Sequence, residues 1–139
     1  AINDLDCELW IVSNNGDPKS SWKYDRFFKS VPFNEMPKIY SSCDILLKMS
    51  KVESFCYPPL EMMACGGVAV IRKVTGIEEY AIDKENCLIV NSIAQAREAV
   101  QKLIADNDLR QKLAENGYQT AKEWNWDRSI VLLEKVISR

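Results

Sequence analysis

Glu53 and Glu61 are the side chains of this sequence best placed to do chemistry together. Seven residues separate them, Ser54-Phe55-Cys56-Tyr57-Pro58-Pro59-Leu60, and the stretch lies between two apolar runs, Ile45-Leu46-Leu47 and Val68-Ala69-Val70-Ile71. This pattern predicts strand, loop, short helix, strand. Pro58-Pro59 suit the start of the helix, where the amide hydrogens they lack would go unpaired, and Gly66-Gly67 suit its end. Glu61 is then expected in the first helical turn and Glu53 in the loop before it. The loop can fold Glu53 back so that both carboxylates flank one crevice at the carboxyl edge of a parallel sheet, where open α/β sheets bind ligands. Free amides at a helix start attract anions, and carboxylates accept hydrogen bonds from hydroxyls. A ligand that carries both phosphate and sugar, as a nucleotide sugar does, would meet both. The same spacing also fits a plainer arrangement, with Glu61 complementing the helix dipole and Glu53 in solvent. Spacing alone leaves the two open.

Lys48 and Lys51 are the nearest cations on the side of the first strand, and Arg72 follows the second. Each is a candidate contact for a diphosphate, and each is equally at home as a solvated or ion-paired surface charge.

Several elements must position these residues. Glu8 to Ser13 reads as a strand closed by the turn Asn14-Asn15-Gly16-Asp17-Pro18, and Phe27 to Val31 as a second strand, with a loop and no crossover helix between them. Asn34 is expected to cap a helix with Met36, Ile39, Tyr40 and Cys43 on one face, and Asp44 to end it. The strand Ile45 to Ser50 feeds the Glu53 loop. After Val68 to Ile71 come a short helix over Ile77 to Ala81 and a strand over Cys87 to Val90. The last third is helical: Ser92 with Gln95 forms a capping-box pattern, and two apolar stripes follow, Ile93, Ala96, Val100, Leu103, Ile104 and then Leu109, Leu113, Ala121, Trp124. Trp126-Asp127 is expected to cap a final helix with Ile130, Leu133 and Ile137 inward. The alternation predicts an α/β fold, a three-layer α/β/α Rossmann-like parallel sheet, in one domain over residues 1–139.

Composition narrows the function. The chain has 139 residues, 47% hydrophobic, enough to bury a sizeable core. A net charge of −2 gives no electrostatic reason to expect nucleic acid as a partner. No apolar run is long enough to span a membrane, and no signal peptide is expected. Five cysteines form no C-x-x-C pair, which fits a reduced, cytoplasmic setting. The absence of histidine removes Ser-His-Asp and Cys-His catalysis and the commonest zinc ligand, so no metal site and no cofactor is expected.

Glu53-Ser54-Phe55 through Glu61-Met62-Met63-Ala64-Cys65-Gly66-Gly67-Val68-Ala69-Val70-Ile71, followed by Gly76-Ile77-Glu78-Glu79-Tyr80, resembles the donor-binding, C-terminal half of retaining glycosyltransferases of family four, which have the GT-B fold. The resemblance implies that Glu53 holds hydroxyls of the transferred sugar and is the catalytic-site carboxylate, and that Glu61 holds the ribose of the nucleotide. It implies that backbone amides near Phe55, Cys56 and Tyr57, beside Ser54, face the sugar and diphosphate. It implies a metal-independent reaction in which neither Glu becomes a covalent nucleophile. The partners implied are a nucleotide-sugar donor and a glycan acceptor held by a separate N-terminal domain.

The sequence departs from the family pattern at Met49 and Ala69, where Pro is usual, and at Cys56, where Gly is usual. It also begins after the family's first strand, phosphate-facing loop and first helix. The sheet is therefore expected to close in another way or through a segment outside these residues. The reading is a donor nucleotide-sugar domain, or most of one, from a glycosyltransferase that builds a glycan, inactive in transfer by itself. A non-catalytic sugar-nucleotide-binding or interaction module is the alternative. A glycosidase, which directs two carboxyl groups at one bond, fits less well.

Overall fold

Apolar runs become strands and amphipathic stretches become helices, alternating from Met36 to Arg72 and ending in three consecutive helices. The computed structural model describes Ile2 and residues 4–138. Within them the chain forms β1 (Trp10–Ser13), β2 (Arg26–Lys29), α1 (Met36–Tyr40), β3 (Ile45–Lys48), α2 (Tyr57–Ala64), β4 (Val68–Arg72), β5 (Leu88–Val90), α3 (Ile93–Ala105), α4 (Asn107–Glu123) and α5 (Trp126–Ile137).

All strand pairing is parallel among these elements. β3, β4 and β5 form one sheet in that order, and β1 and β2 form another. The two sheets share no ladder among the described residues, and Ile2 and Leu5 pack beside Ile45 and Leu47 against the core that α3 covers.

β4 is the centre of the core. Its residues alternate between two faces: Val68 and Val70 meet Ala96, Ala99, Val100 and Leu103 of α3, whereas Ala69 and Ile71 meet Met63 of α2 and the Ala121 end of α4. That alternation produces the three layers, and it explains why the sequence here is a continuous apolar run, since a parallel strand covered on both sides has no polar face. Each fully buried Val, Ile, Leu or Met side chain contributes about 1.5 to 3 kcal/mol.

The local punctuation behaves as its chemistry demands. Pro58 and Pro59 lie in the first turn of α2, and the helix ends in a left-handed Gly66 with φ +83°. Gly67 N–H reaches Met62 C=O at 3.0 Å and Gly66 N–H reaches Met63 C=O at 3.1 Å, so the last carbonyls are satisfied by the reversing chain. Ser92 caps α3 by accepting from Gln95 N–H, while the Gln95 amide oxygen accepts from Asn91 N–H rather than from the cap residue itself. Asp106 caps α4 and Asn125 caps α5, so the final helix is capped one residue before the expected Trp126-Asp127.

Four expectations are corrected. The segment after Pro32 is a 3-10 turn over Phe33–Glu35 followed by the five-residue α1, with no side-chain cap from Asn34; Pro37 near the helix start and only one further turn of chain before Ser41 keep it short. Thr75–Ile77 is a single 3-10 turn rather than the start of a helix reaching Ala81. Ile93 is 64% exposed, because the first residue of α3 precedes the stripe that faces β4. Ile130, Leu133 and Ile137 are exposed rather than inward, as is every residue of α5. An amphipathic pattern fixes which face of a helix is apolar and says nothing of what covers it.

Candidate functional site

The site is built where β3 ends. Lys48 is its last residue, and the loop that follows brings Glu53 back to it, with 3.1 Å between Lys48 Nζ and Glu53 Oε1. The Ser50 hydroxyl and the Lys48 ammonium bond the carboxylate and, with the Cys56 thiol, hold Glu53 below the usual carboxylate range against partial burial. Glu53 is therefore an anion at neutral pH.

The loop is clamped from the other side by the segment after β4. Cys56 N–H donates to Gly76 C=O at 2.9 Å, and Tyr80 Oη donates to Cys56 C=O at 2.5 Å. Gly76 comes so close that a Cβ there would lie 3.0 Å from the Glu53 carbonyl oxygen. Phe55 stacks behind the loop, its ring 4.6 Å from Tyr57, 5.6 Å from Tyr80 and 5.5 Å from Trp124, and Arg128 covers Trp124 at 4.8 Å.

Glu61 is the second carboxylate. α2 begins at Tyr57, one residue before the proline pair, so Glu61 is in the second turn rather than the first, as expected from the sequence. Complementing the helix dipole is an effect of the first turn, and that plainer explanation for Glu61 loses force. Its Oε2 instead accepts from Tyr40 Oη at 2.9 Å. Tyr40 is buried, and that burial, followed by the charge of Glu61 and the bond to it, pushes the phenol upward, so the hydroxyl remains a donor.

Cys56 stands between the two carboxylates. Its thiol is pushed up to about 11 by burial and then by the charge of Glu53. The thiol stays protonated and unreactive.

The remaining expected contacts divide. Ser54 and Tyr57 are exposed on the loop and Phe55 is half-buried, whereas Cys56 is wholly buried. The Cys56 amide is committed to Gly76, so the expectation that it faces a ligand is corrected. Pro58 and Pro59 carry no N–H, which leaves Tyr57 and Leu60 as the amide donors among the first four residues of α2. Lys48 is paired with Glu53. Lys51 is exposed, Arg72 is half-buried at the end of β4, and neither makes an ion pair among the described residues. Tyr40 and Tyr80 escaped the sequence reading as site residues. An aromatic in an apolar stripe gives no sign that its hydroxyl has a carboxylate or carbonyl to meet.

Two concavities, of about 440 Å³ beside Lys102 to Asp108 and about 370 Å³ beside Cys65 and Tyr118, are lined by neither carboxylate. Among the described residues no three His, Cys, Asp or Glu side chains converge as metal ligands, and no helix is long and apolar enough to cross a membrane.

Comparison with known proteins gives four likenesses. The model of the family described as "Glycosyl transferases group 1" matches residues 25–120. An uncharacterized glycosyltransferase of Methanocaldococcus jannaschii is 30% identical over 98% of this chain, which spans 42% of that protein's length. The C-terminal domain of a glycosyl transferase group 1 family protein, LpcC, from Francisella tularensis superposes with a TM-score of 0.65 at 32% identity, covering 71% of this chain and 52% of the other. The fold is also that of Anabaena HepE, solved in complex with UDP-glucose, with a TM-score of 0.73 at 19% identity over 82% of this chain and 32% of that one.

Proposed function

Because this chain belongs to the glycosyl transferases group 1 family and has the α/β fold of the C-terminal GT-B domain, we propose that residues 1–139 form a donor-binding domain, holding a nucleotide sugar for a retaining glycosyltransferase that builds a glycan. The observation that carries this reading is the pair of separately held carboxylates, Glu53 by Lys48 and Ser50, and Glu61 by Tyr40. Two fixed acceptors suit two hydroxyl-bearing groups of one ligand, the sugar at Glu53 and the ribose at Glu61. A glycosidase would instead need one carboxyl kept protonated as a general acid. The lowered Glu53 points away from that role.

In this reading the diphosphate lies between the two. With only Tyr57 and Leu60 supplying amides at the start of α2, the positive charge facing the leaving group falls more heavily on Lys51 and Arg72, and Lys48 acts mainly through Glu53. The acceptor is held by the part of the enzyme that these residues do not include, since the chain spans 42% of its archaeal relative. The setting is cytoplasmic, in keeping with five free cysteines.

The expected behaviour of the chain alone is donor binding without transfer. Positioning two substrates together can contribute about 7 to 11 kcal/mol to such a reaction, and one half of a cleft positions only one. A dissociation constant on the order of 0.1 to 1 mM is expected, equivalent to roughly 4 to 5.5 kcal/mol. The test is calorimetry of the purified chain against a panel of nucleotide sugars, with nucleotide release measured in the presence of glycan acceptors. No binding across the panel would refute the donor assignment, and sustained acceptor-dependent turnover would refute the division of labour.

A further inference from the structure

The strongest unassigned relationship in the molecule is between α1 and α2. α1 is only five residues long and its one buried residue is Tyr40, the last of them. Tyr40 is 8% exposed, and the hydroxyl at its tip lies 2.9 Å from Glu61 Oε2, 21 positions along the chain. Among the described residues Tyr40 is the one side chain that hydrogen-bonds or ion-pairs with Glu61. A half-buried glutamate with three side-chain torsions and no cation beside it would otherwise sample several rotamers, each aiming the carboxylate differently.

We infer that Tyr40 is the positioning residue of the nucleotide site: its hydroxyl ties Glu61 Oε2 and thereby presents Oε1 to a ribose hydroxyl. This rests on the donor-binding reading above and adds to it a residue outside the Glu53–Glu61 stretch. The bond is directional. Tyr40 Oη donates and Glu61 Oε2 accepts, so the bond occupies one lone pair and leaves the others for the ligand, whereas a lysine or arginine partner would compete with the ligand's hydroxyls more strongly. The burial of the ring serves the same end, since a hydroxyl on a fixed ring cannot follow a wandering carboxylate and must hold it. A core tyrosine whose hydroxyl had no such role would be replaceable by phenylalanine, which keeps the same ring and contacts.

The experiment is a double-mutant cycle in this chain, Tyr40→Phe and Glu61→Ala singly and together, with affinity for uridine diphosphate and guanosine diphosphate measured by calorimetry and stability by urea denaturation. Tyr40→Phe is expected to weaken binding about five- to tenfold in the wild-type background, less than the loss of the Glu61 carboxylate itself because only its orientation is lost, and to have no further effect once Glu61 is alanine. Unchanged affinity in Tyr40→Phe, with the wild type binding, would overturn this inference and leave the donor reading standing. An equal loss in both backgrounds would overturn it as well, because the effect would then be on the fold and not on Glu61. Absence of binding by the wild type to either nucleotide would overturn the donor reading and this inference together.

Discussion

Lys48 Nζ lies 3.1 Å from Glu53 Oε1, so the last residue of β3 and the acid of the loop after it form one ionic unit. Their side chains are 30% and 24% exposed, which places the pair between a solvated surface bridge and a buried one. The pairing changes the reading of both. Lys48 is no longer a free cation awaiting phosphate, and Glu53 is no longer a loop carboxylate in solvent.

The pair makes stability depend on acid. Glu53 has a folded value below its ordinary 4.5, so its contribution is complete above that value and is lost as pH falls through the lower folded one. Glu53→Gln removes the contribution. Urea midpoints of the wild type and the variant are expected to differ at neutral pH and to converge as the pH falls below 4.5 and through the lower folded value. A gap that stays constant across that range would show that the charge of Glu53 plays no part.

The two carboxylates are expected to separate by ligand. Glu61→Ala should weaken binding of free nucleotide and nucleotide sugar alike, whereas Glu53→Ala should weaken mainly the sugar-dependent part. Loss of one hydrogen bond to a charged group corresponds to about 1.5 to 3 kcal/mol, or roughly 10- to 150-fold. Calorimetry with nucleotide alone and with nucleotide sugar decides the matter, and identical losses for both ligands in both variants would sink the division of roles.

Gly76→Ala tests the clamp on the Glu53 loop. The added methyl would lie 3.0 Å from both the Glu53 carbonyl oxygen and the Ser54 carbonyl carbon, backbone atoms that cannot rotate away as the end of a side chain can. Relief requires moving the loop itself. The expected result is destabilisation of about 1 to 3 kcal/mol together with weaker nucleotide-sugar binding. Wild-type stability and binding in this variant would mean that the loop is not held where the structure places it.

Tyr80→Phe separates the ring from the hydroxyl. The ring contacts with Phe55 at 5.6 Å and Trp124 at 6.2 Å remain, and the 2.5 Å bond to Cys56 C=O is lost. A cost of about 1 to 2 kcal/mol in urea denaturation is expected, since the site is buried and the carbonyl loses a donor. No measurable change would indicate that the aromatic stack alone holds the loop.

Much of the fold was legible in the chain. Pro58-Pro59 and Gly66-Gly67 bracket α2 because proline lacks an amide hydrogen and glycine alone takes φ +83° without strain. Val68 to Ile71 announced a strand buried on both faces, and Ser92 with Gln95 announced the start of α3. These are short-range effects, decided within a few residues of backbone and so written in local sequence. Glu53 and Glu61 were legible for the same reason, as a loop acid and a helix acid in one short stretch.

What only the tertiary structure decided are the partners. Tyr40 meets Glu61 across 21 positions and Tyr80 meets Cys56 across 24, and no periodicity distinguishes these hydroxyls from those of ordinary core tyrosines. The closeness of Gly76 to Glu53 depends on how the segment after β4 lies against the β3 loop, and the exposure of Ile130, Leu133 and Ile137 on what α5 does not meet within the described residues. Hydrophobic pattern specifies that a surface must be covered and hydrogen-bonding groups that they must be paired. Which residue does the covering or pairing is settled only when distant segments pack, because the favourable energy then comes from contacts that the local chain cannot form by itself.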